Sequence, residues 1–534
     1  FPDGRPPVHF DRSNGLPQNR VRFVQEDREG NLWVGAGSAG VVSIHVSAFS
    51  ILNSPDQWLG CPTTALAPAR DGALWIGTDG AGLYRYADDK WTHYGDAEGL
   101  YNPYISAVVE GPGARMWVGN FWWGSPYRLE HCRFVRPPGI DETSSPVFAL
   151  VPGAEPGEML VGNRTGVLRL AATGATWLLR SSEADAGVWA LAKDGRGGLW
   201  CGLAQGGIAH VANGKIATYR HKDGLASDAV LCLRPESDGT LWIGTADRGL
   251  VRFKDGRFAT LSKPQGLVDS AICYILEDQL GYLWLGSHHG LQRVAKTELN
   301  RCADGTIPTV SAQIYDRSDA GPTLEFTAGL QAAGCKTDDG RLWFASSKGV
   351  ISVDPARVLA NGVPPPVVLE SLRVDGRAIP YRGGAALPRL APGHQHLEFR
   401  FGGLSYVAPN KVLFRYRLDG IDDAWVESGA KRTAVYSRLP AGAYRFRVIA
   451  CNNDGVWNTD GASLAFTVAP FFWQTWWFIG SCLLAAATII AWLARYFTRR
   501  RMQRQMEQLE RRQTVERERA RIAQDIYDDI GTTL

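Results

Sequence analysis

One pattern constrains this chain more than any other: Leu or Met, then Trp, then a variable residue, then Gly, returning at an almost fixed interval. It occurs at Leu32-Trp33-Val34-Gly35, Leu74-Trp75-Ile76-Gly77, Met116-Trp117-Val118-Gly119, Leu199-Trp200-Cys201-Gly202, Leu241-Trp242-Ile243-Gly244 and Leu283-Trp284-Leu285-Gly286. Met159-Leu160-Val161-Gly162 and Leu342-Trp343-Phe344-Ala345 are degenerate copies. Successive spacings are 42, 42, 43, 40, 42, 42 and 59 residues. A fixed period of this size marks one supersecondary unit repeated, each copy burying a face against the next.

Within a copy, alternating apolar runs and Gly-rich turns give four short strands. Val21-Arg22-Phe23-Val24 is an example of the first, followed by the turn Asp27-Arg28-Glu29-Gly30-Asn31 and the Trp strand. Gly82-Leu83-Tyr84-Arg85-Tyr86 and Trp91-Thr92-His93-Tyr94 exemplify the third and fourth. Four strands per repeat is a propeller blade, with the Trp as a flat wedge between blades. The fold class is therefore all-β, with a propeller over residues 1–357. Eight copies predict eight blades, and seven is the alternative if the first copy belongs to a truncated upstream propeller.

Val363-Pro364-Pro365-Pro366 is a stiff joint without N–H donors. Beyond it, Leu397-Glu398-Phe399-Arg400-Phe401, Phe414-Arg415-Tyr416-Arg417-Leu418 and Tyr444-Arg445-Phe446-Arg447-Val448 alternate strictly, predicting a small β-sandwich over 358–470. Asp460 and Arg495 bracket a stretch with no charge. Trp476 to Tyr496 is continuously apolar, about 31 Å as a helix, so 473–496 reads as a transmembrane helix. Trp473, Trp476 and Trp477 at one end and Trp492 and Tyr496 at the other resemble interfacial belts. Arg495, Arg499, Arg500, Arg501 and Arg504 follow it, which by the positive-inside rule puts the tail in the cytoplasm and the propeller outside. The net charge of +3 lies wholly in residues 495–534, with ten Arg against four Glu and three Asp. It is an orientation signal, and direct nucleic-acid binding is not expected.

Particular residues resemble a known family. Gly15-Leu16-Pro17-Gln18-Asn19, Gln25-Glu26-Asp27 and Gly30-Asn31-Leu32-Trp33-Val34-Gly35 are similar to the propeller repeat of bacterial two-component sensor histidine kinases. Gly224-Leu225 and Gly266-Leu267 restart it. Tyr416-Arg417-Leu418-Asp419-Gly420, Trp425, Tyr436, Leu439-Pro440-Ala441-Gly442-Ala443-Tyr444 and Asn452-Asn453-Asp454-Gly455-Val456-Trp457 resemble the three-tyrosine sandwich that follows it in those sensors. The resemblance implies a receptor of the inner membrane, single-pass, with a periplasmic propeller that senses a small molecule or glycan. It also implies a homodimer and a cognate response regulator.

Residues 497–534 read as a cytoplasmic dimerisation helix, with Met502, Met506, Leu509, Gln513, Glu516, Ala520 and Ala523 in steps of four and three. Its end, from Glu518-Arg519-Ala520-Arg521-Ile522-Ala523 through Asp525-Ile526-Tyr527-Asp528 to Gly531, resembles the phosphoacceptor box of the family, ERxRIAxDLHDxxG. Tyr527 stands where the family has its phosphorylated histidine. A phenol with pKa near ~10 is almost wholly protonated at neutral pH and cannot replace an imidazole nucleophile. Asp528 matches the acid that serves that histidine. The residues up to Leu534 read as lacking an ATP-binding domain, so no cofactor is expected in this chain, and ATP and Mg only if a kinase domain follows. The start at Phe1 and the stop at Leu534 read as those of a fragment or processed form.

Residues just after each Trp-x-Gly should share one rim: Thr78-Asp79, Asn120-Phe121-Trp122-Trp123, Asn163-Arg164, Asp247-Arg248 and His288-His289. Phe121, Trp122 and Trp123 offer stacking surface for a flat ligand, and Asn163, Arg164, Asp247, Arg248, His288 and His289 offer polar contacts. No metal is expected, since the histidine pair lacks acidic neighbours. Nine scattered cysteines without CxxC read as buried hydrophobes, a Cys302–Cys335 bridge being the one alternative. Gly35-Ala36-Gly37-Ser38-Ala39-Gly40 matches GxGxxG, but Val41-Val42-Ser43-Ile44 reads as a strand where a dinucleotide site needs a helix. The rival classes are a propeller lyase, a quinone-dependent dehydrogenase, for which adjacent cysteines are missing, and a kinase-dead receptor acting by binding only.

Overall fold

The computed structural model describes residues 9–12, 15–45, 47–122, 124–137, 140, 145–180, 187–287, 290–316, 331, 333–358, 360–379, 389–393 and 396–531, with side chains in the last helix described to Gln524. The chain forms two compact units. One comprises Phe1–Pro366 with Gly403–Leu413 and Ala450–Asn458, and the other Val367–Gly402, Phe414–Ile449 and Thr459–Leu534.

In the first unit the repeat builds antiparallel sheets that each use the Trp strand as second strand. Seven sheets, among the described residues, have four strands. Their first, innermost strands are Thr63–Pro68, Ile105–Glu110, Val147–Pro152, Val188–Lys193, Val230–Pro235, Tyr274–Glu277 and Gly334–Lys336. Each inner strand lies against the next, and the last lies against the first, so these seven close a ring. The seventh sheet takes its fourth strand, Phe49–Leu52, from the N-terminal side, paired with Gly349–Val353. Thr63 reinforces the closure: its Oγ1 donates toward the carbonyls of Ser346 and Gly349 at 3.0 Å and accepts from Ser346 N at 3.0 Å.

The first copy behaves differently. Phe23–Glu26, Leu32–Gly35 and Val41–Ile44 make a three-stranded sheet apart from that ring, because the next strand in the chain completes the seventh sheet instead. Val41–Ile44 continues the Gly-rich turn as a strand, as the rejection of a dinucleotide site requires.

The structure explains both fixed residues of the repeat. A Cβ on Gly77 would lie 2.5 Å from Ile105, and one on Gly119 would lie 2.5 Å from Val147. The inner strand of the next sheet thus runs against bare backbone, and glycine is needed for close approach. The Trp is a wedge with a polar requirement that the pattern alone does not reveal. Its indole N–H reaches a residue six positions earlier: Trp33 to Asp27 at 2.8 Å, Trp242 to Glu236 at 2.8 Å, Trp284 to Asp278 at 2.9 Å and Trp343 to the Thr337 hydroxyl at 3.0 Å. Buried indoles need such a partner. Opposite the Trp, on the third strand, Arg85, Arg128 and Arg293 place their guanidinium carbons 5.4–5.9 Å from the indole rings of Trp75, Trp117 and Trp284.

The 59-residue interval before the last copy contains the helix Lys296–Ala303. All nine cysteines are free thiols, Cys302 and Cys335 included. Burial pushes the Cys201 and Cys273 thiols up to about 12, so both act as small hydrophobes.

In the second unit, two four-stranded sheets form the sandwich. One has the order Arg377–Ile379, Val367–Val374, His396–Gly403, Thr433–Ser437; the other has the order Val426–Gly429, Leu413–Asp419, Gly442–Cys451, Trp457–Val468. Phe399, Phe401, Phe414 and Phe446 are fully buried between them, Phe399 and Phe446 stacking at 4.1 Å. Of the motif tyrosines, Tyr436 donates to Asp422, and Tyr444 donates to the Pro440 carbonyl at 2.9 Å. Burial, then the bond to Asp422, raises the Tyr436 phenol far above its ordinary range, so it stays a neutral donor. One unbroken α-helix of 56 residues, Trp476–Gly531, follows, and its apolar first part is long enough to cross a membrane.

Candidate functional site

The connection after each Trp strand and the connection into each inner strand lie at the same end of a sheet, so they share one face of the ring. In several copies the residue at the position directly after Trp-x-Gly is spent on its own turn. Thr78 Oγ1 donates to the Gly82 carbonyl at 2.7 Å, Thr245 Oγ1 to Gly249 at 2.8 Å, and Ser346 Oγ to Gly349 at 2.7 Å. Asn163 does the same work by accepting from Thr165 N, Thr165 Oγ1 and Gly166 N at 2.9, 2.9 and 3.0 Å. It is buried, which leaves Arg164 as the exposed member of that pair. Asp247 and Arg248 are both exposed, their side chains 3.6 Å apart. Trp123, His288 and His289 lie outside the described residues, as do the side chains of Tyr527 and Asp528, whose backbone is helical. Among the described residues no cluster of three or more His, Cys, Asp or Glu could hold a metal ion.

Phe121 and Trp122 belong to something larger. Trp122 is 51% exposed and packs edge-on against Phe121 at 5.0 Å. Phe121 meets Phe148 at 5.9 Å, and Phe148 meets Trp189 at 6.3 Å. Four rings therefore run in a row from the second ring sheet to the fourth. Asn102 Nδ2 donates to the Trp122 carbonyl, Asn120 Nδ2 donates to the Asn102 carbonyl at 2.7 Å, and Phe121 N donates to the Tyr104 carbonyl at 3.0 Å. These bonds fix the loop, while Tyr101 beside it is 69% exposed.

Phe148 and Trp189 do not follow a Trp-x-Gly and carry no signal of that pattern. Both occupy a β-bulge. The pairing of inner strand with Trp strand skips a residue between Val147 and Ala149, between Val188 and Ala190, between Thr63 and Ala65, and between Val230 and Cys232. A bulge re-aims its extra side chain. Where that residue is Thr64 or Ser106, its hydroxyl donates to the next inner strand, at Ile105 O and Val147 O. In Phe148 and Trp189 the same position carries a ring. Aligning the copies about eleven residues before each Trp would have exposed this contrast.

The connection into the first inner strand carries local strain. Gln57, Trp58 and Leu59 have φ of 52, 58 and 51°, a region costly for side-chain-bearing residues. It is held by Trp58, which is buried and packs on Tyr84 at 5.1 Å, and by Asp56, which accepts from Tyr84 Oη at 2.9 Å. Burial, then Asp56, raises the Tyr84 phenol far above its ordinary range, so it is a fixed donor and no acid.

Comparison with known proteins agrees with this architecture. The family model described as a two component regulator propeller matches residues 15–38 and 224–247, and the Y_Y_Y domain model matches residues 405–469. A protein named histidine kinase P4, from Formosa agariphila, is 27% identical over 190 residues, covering 34% of this chain and 13% of that protein. The crystal structure of the extracellular domain of a protein described as a hybrid two component system, from B. thetaiotaomicron, superposes with a TM-score of 0.71 at 20% identity. It covers 86% of this chain and 63% of that one, so this chain spans less than two thirds of either relative. That likeness shows the fold. Virginiamycin B lyase from Staphylococcus aureus matches at a TM-score of 0.45 and 14% identity, over 57% of this chain and 97% of its own, too low to carry an argument.

Proposed function

We propose that this chain is the sensing part of a membrane-bound two-component sensor of the histidine kinase family. A ligand outside the membrane binds the propeller face bearing Trp122, Phe121, Phe148 and Trp189. It shifts the dimer between two packings, and the change passes along the chain through sandwich and span to the helix seam. One observation carries this reading: the apolar span and the phosphoacceptor-like box lie on a single unbroken helix, Trp476–Gly531. A continuous helix transmits a rotation or a sliding step without a hinge to absorb it.

The arginines from Arg495 onward support a cytoplasmic tail and a periplasmic propeller. The exposed Trp122 at the outer end of the aromatic row supports a ligand with a flat apolar face, such as a glycan or other small molecule. A homodimer would use the seam of Met502, Met506 and Leu509, and a response regulator would be the downstream partner. ATP and Mg would belong to a kinase domain elsewhere in a longer protein. Tyr527 favours a second reading, a receptor that signals by binding and leaves phosphotransfer to another chain.

The test is disulfide cross-linking of a Leu509→Cys variant in membranes while candidate glycans and small molecules are titrated against propeller tryptophan fluorescence. A ligand that quenches the fluorescence should change cross-linking yield in the same concentration range. If every ligand that binds leaves the yield untouched, the propeller does not control the seam.

A further inference from the structure

Each inner strand pairs on one side only, leaving its other edge turned to the central channel of the ring. A strand edge offers N–H and C=O of the same residue side by side, and such groups need partners wherever water is excluded. In the fourth ring sheet one residue has them. Leu191 N donates to Gln331 Oε1 at 2.8 Å, and Gln331 Nε2 donates to the Leu191 carbonyl at 2.8 Å. The side-chain carboxamide thus imitates a neighbouring strand at a single residue, bidentate and flat. Gln331 N also donates to the Phe148 carbonyl in the third ring sheet at 3.4 Å.

Gln331 comes from the far side. It precedes the seventh inner strand, Gly334–Lys336, and Ala333, two residues on, already accepts from Ala345 N of that sheet at 2.8 Å. In a ring of seven, the third and fourth sheets stand opposite the seventh, so Gln331 is fastened to the third and fourth sheets while Ala333 is fastened to the seventh. The anchor lies beside the aromatic row, since Trp189 is two residues before Leu191 on the same strand and the Phe148 carbonyl accepts from Gln331 N.

We infer that the inner edge at Leu191 is a carboxamide-recognition site, occupied within the free receptor by Gln331, and that the ligand class of this propeller is a carboxamide carried next to a flat apolar ring. The ligand's amide replaces that of Gln331 on Leu191 while its ring stacks on the half-buried Trp189. This rests on the sensor reading above for its purpose but not for its chemistry.

The test uses the full chain in detergent and hydrogen–deuterium exchange resolved to the Leu191 amide. In Gln331→Ala, exchange at Leu191 should rise about tenfold while the remaining inner-strand amides keep their rates, the size expected for one lost hydrogen bond. Gln331→Met, which keeps the length of the side chain but removes both the acceptor and the donor, should do the same and guards against a folding defect of the smaller variant. Added propionamide should restore protection in Gln331→Ala, 2-butanone should not, and benzamide should act at about tenfold lower concentration than propionamide through the aromatic row. The last advantage should vanish in Gln331→Ala combined with Trp189→Ala. Unchanged exchange in both single variants, rescue by neither amide, or equal potency of benzamide and propionamide would each overturn the inference. Because exchange at Leu191 reads binding directly, these outcomes are independent of whether cross-linking at Leu509 responds.

Discussion

The first copy of the repeat and its equivalent in the fifth ring sheet carry nearly the same residues in opposite circumstances. Leu32-Trp33-Val34-Gly35 and Leu241-Trp242-Ile243-Gly244 both fold as the second strand of an antiparallel sheet, and both Trp indoles bond an acid six residues earlier at 2.8 Å. Trp242 and Leu241 are fully buried, whereas Leu32 is 40% exposed and Phe23 and Val24 in the adjoining strand are exposed too. Local sequence therefore makes the sheet, and burial comes from having a neighbour in the ring. The equivalent turn positions, Glu29 and Asp238, diverge in the same way. Asp238 closes its own turn onto Thr240 N and Oγ1 at 2.9 and 3.0 Å. Glu29 instead accepts from Ser405 Oγ, Tyr406 N and Asn361 Nδ2 at 2.7, 2.6 and 2.8 Å, within the same compact unit.

Breaking the comparison hardest means removing the Trp. Trp242→Ala should cost about 3–5 kcal/mol by emptying a fully buried site, seen as loss of the ring's thermal transition. Trp33→Ala should cost about 1–2 kcal/mol, confined to faster amide exchange over Phe23–Ile44, because its indole is half-buried against Tyr406. Equal losses would mean that the two sheets are packed alike.

Next comes the glycine. Gly77→Ala drives a methyl into Ile105 of the next inner strand and should cost about 1–3 kcal/mol in thermal melts. Gly35→Ala meets only the Phe23 ring of its own sheet, which is exposed and free to swing aside, so its effect should stay below about 1 kcal/mol.

The smallest effect is electrostatic. The N–H of Thr240, aided by its hydroxyl and by Lys254, holds the Asp238 carboxyl at about 2, below the ordinary carboxylate value. A depressed carboxyl stabilises the fold fully above its unfolded value of 3.8 and ceases to do so as pH falls through about 2. Asp238→Asn should be less stable than the wild type at pH 7, with the difference shrinking between pH 3.8 and 2 in acid titrations of intrinsic fluorescence. A constant difference across that range would assign the loss to turn geometry instead of charge.

The repeat, the sandwich and the helix were legible because each is written in local periodicity that burial then enforces. Trp-x-Gly marks its strand wherever it occurs, and the uncharged stretch before Arg495 marks its helix. What stayed hidden depends on partners distant in sequence. The departure of Phe49–Leu52 to the seventh sheet is decided by ring closure, so the eight copies exceed the four-stranded sheets of the ring by one among the described residues. Phe121 and Trp122 were legible as rim aromatics, but their continuation through Phe148 and Trp189 needs the bulge. Gln331 had no signal, because nothing near it in sequence foretells a partner 140 residues away.

The account's central claim is an outer sensor joined by one span to an inner helix, and thiol labelling in intact cells addresses it most directly. In a background with the native cysteines replaced, single cysteines at Trp122→Cys and Gln508→Cys would be exposed to a membrane-impermeant maleimide. The account predicts labelling at 122 in intact cells and at 508 only after the membrane is permeabilised. Labelling at 508 in intact cells, or protection at 122, would contradict it.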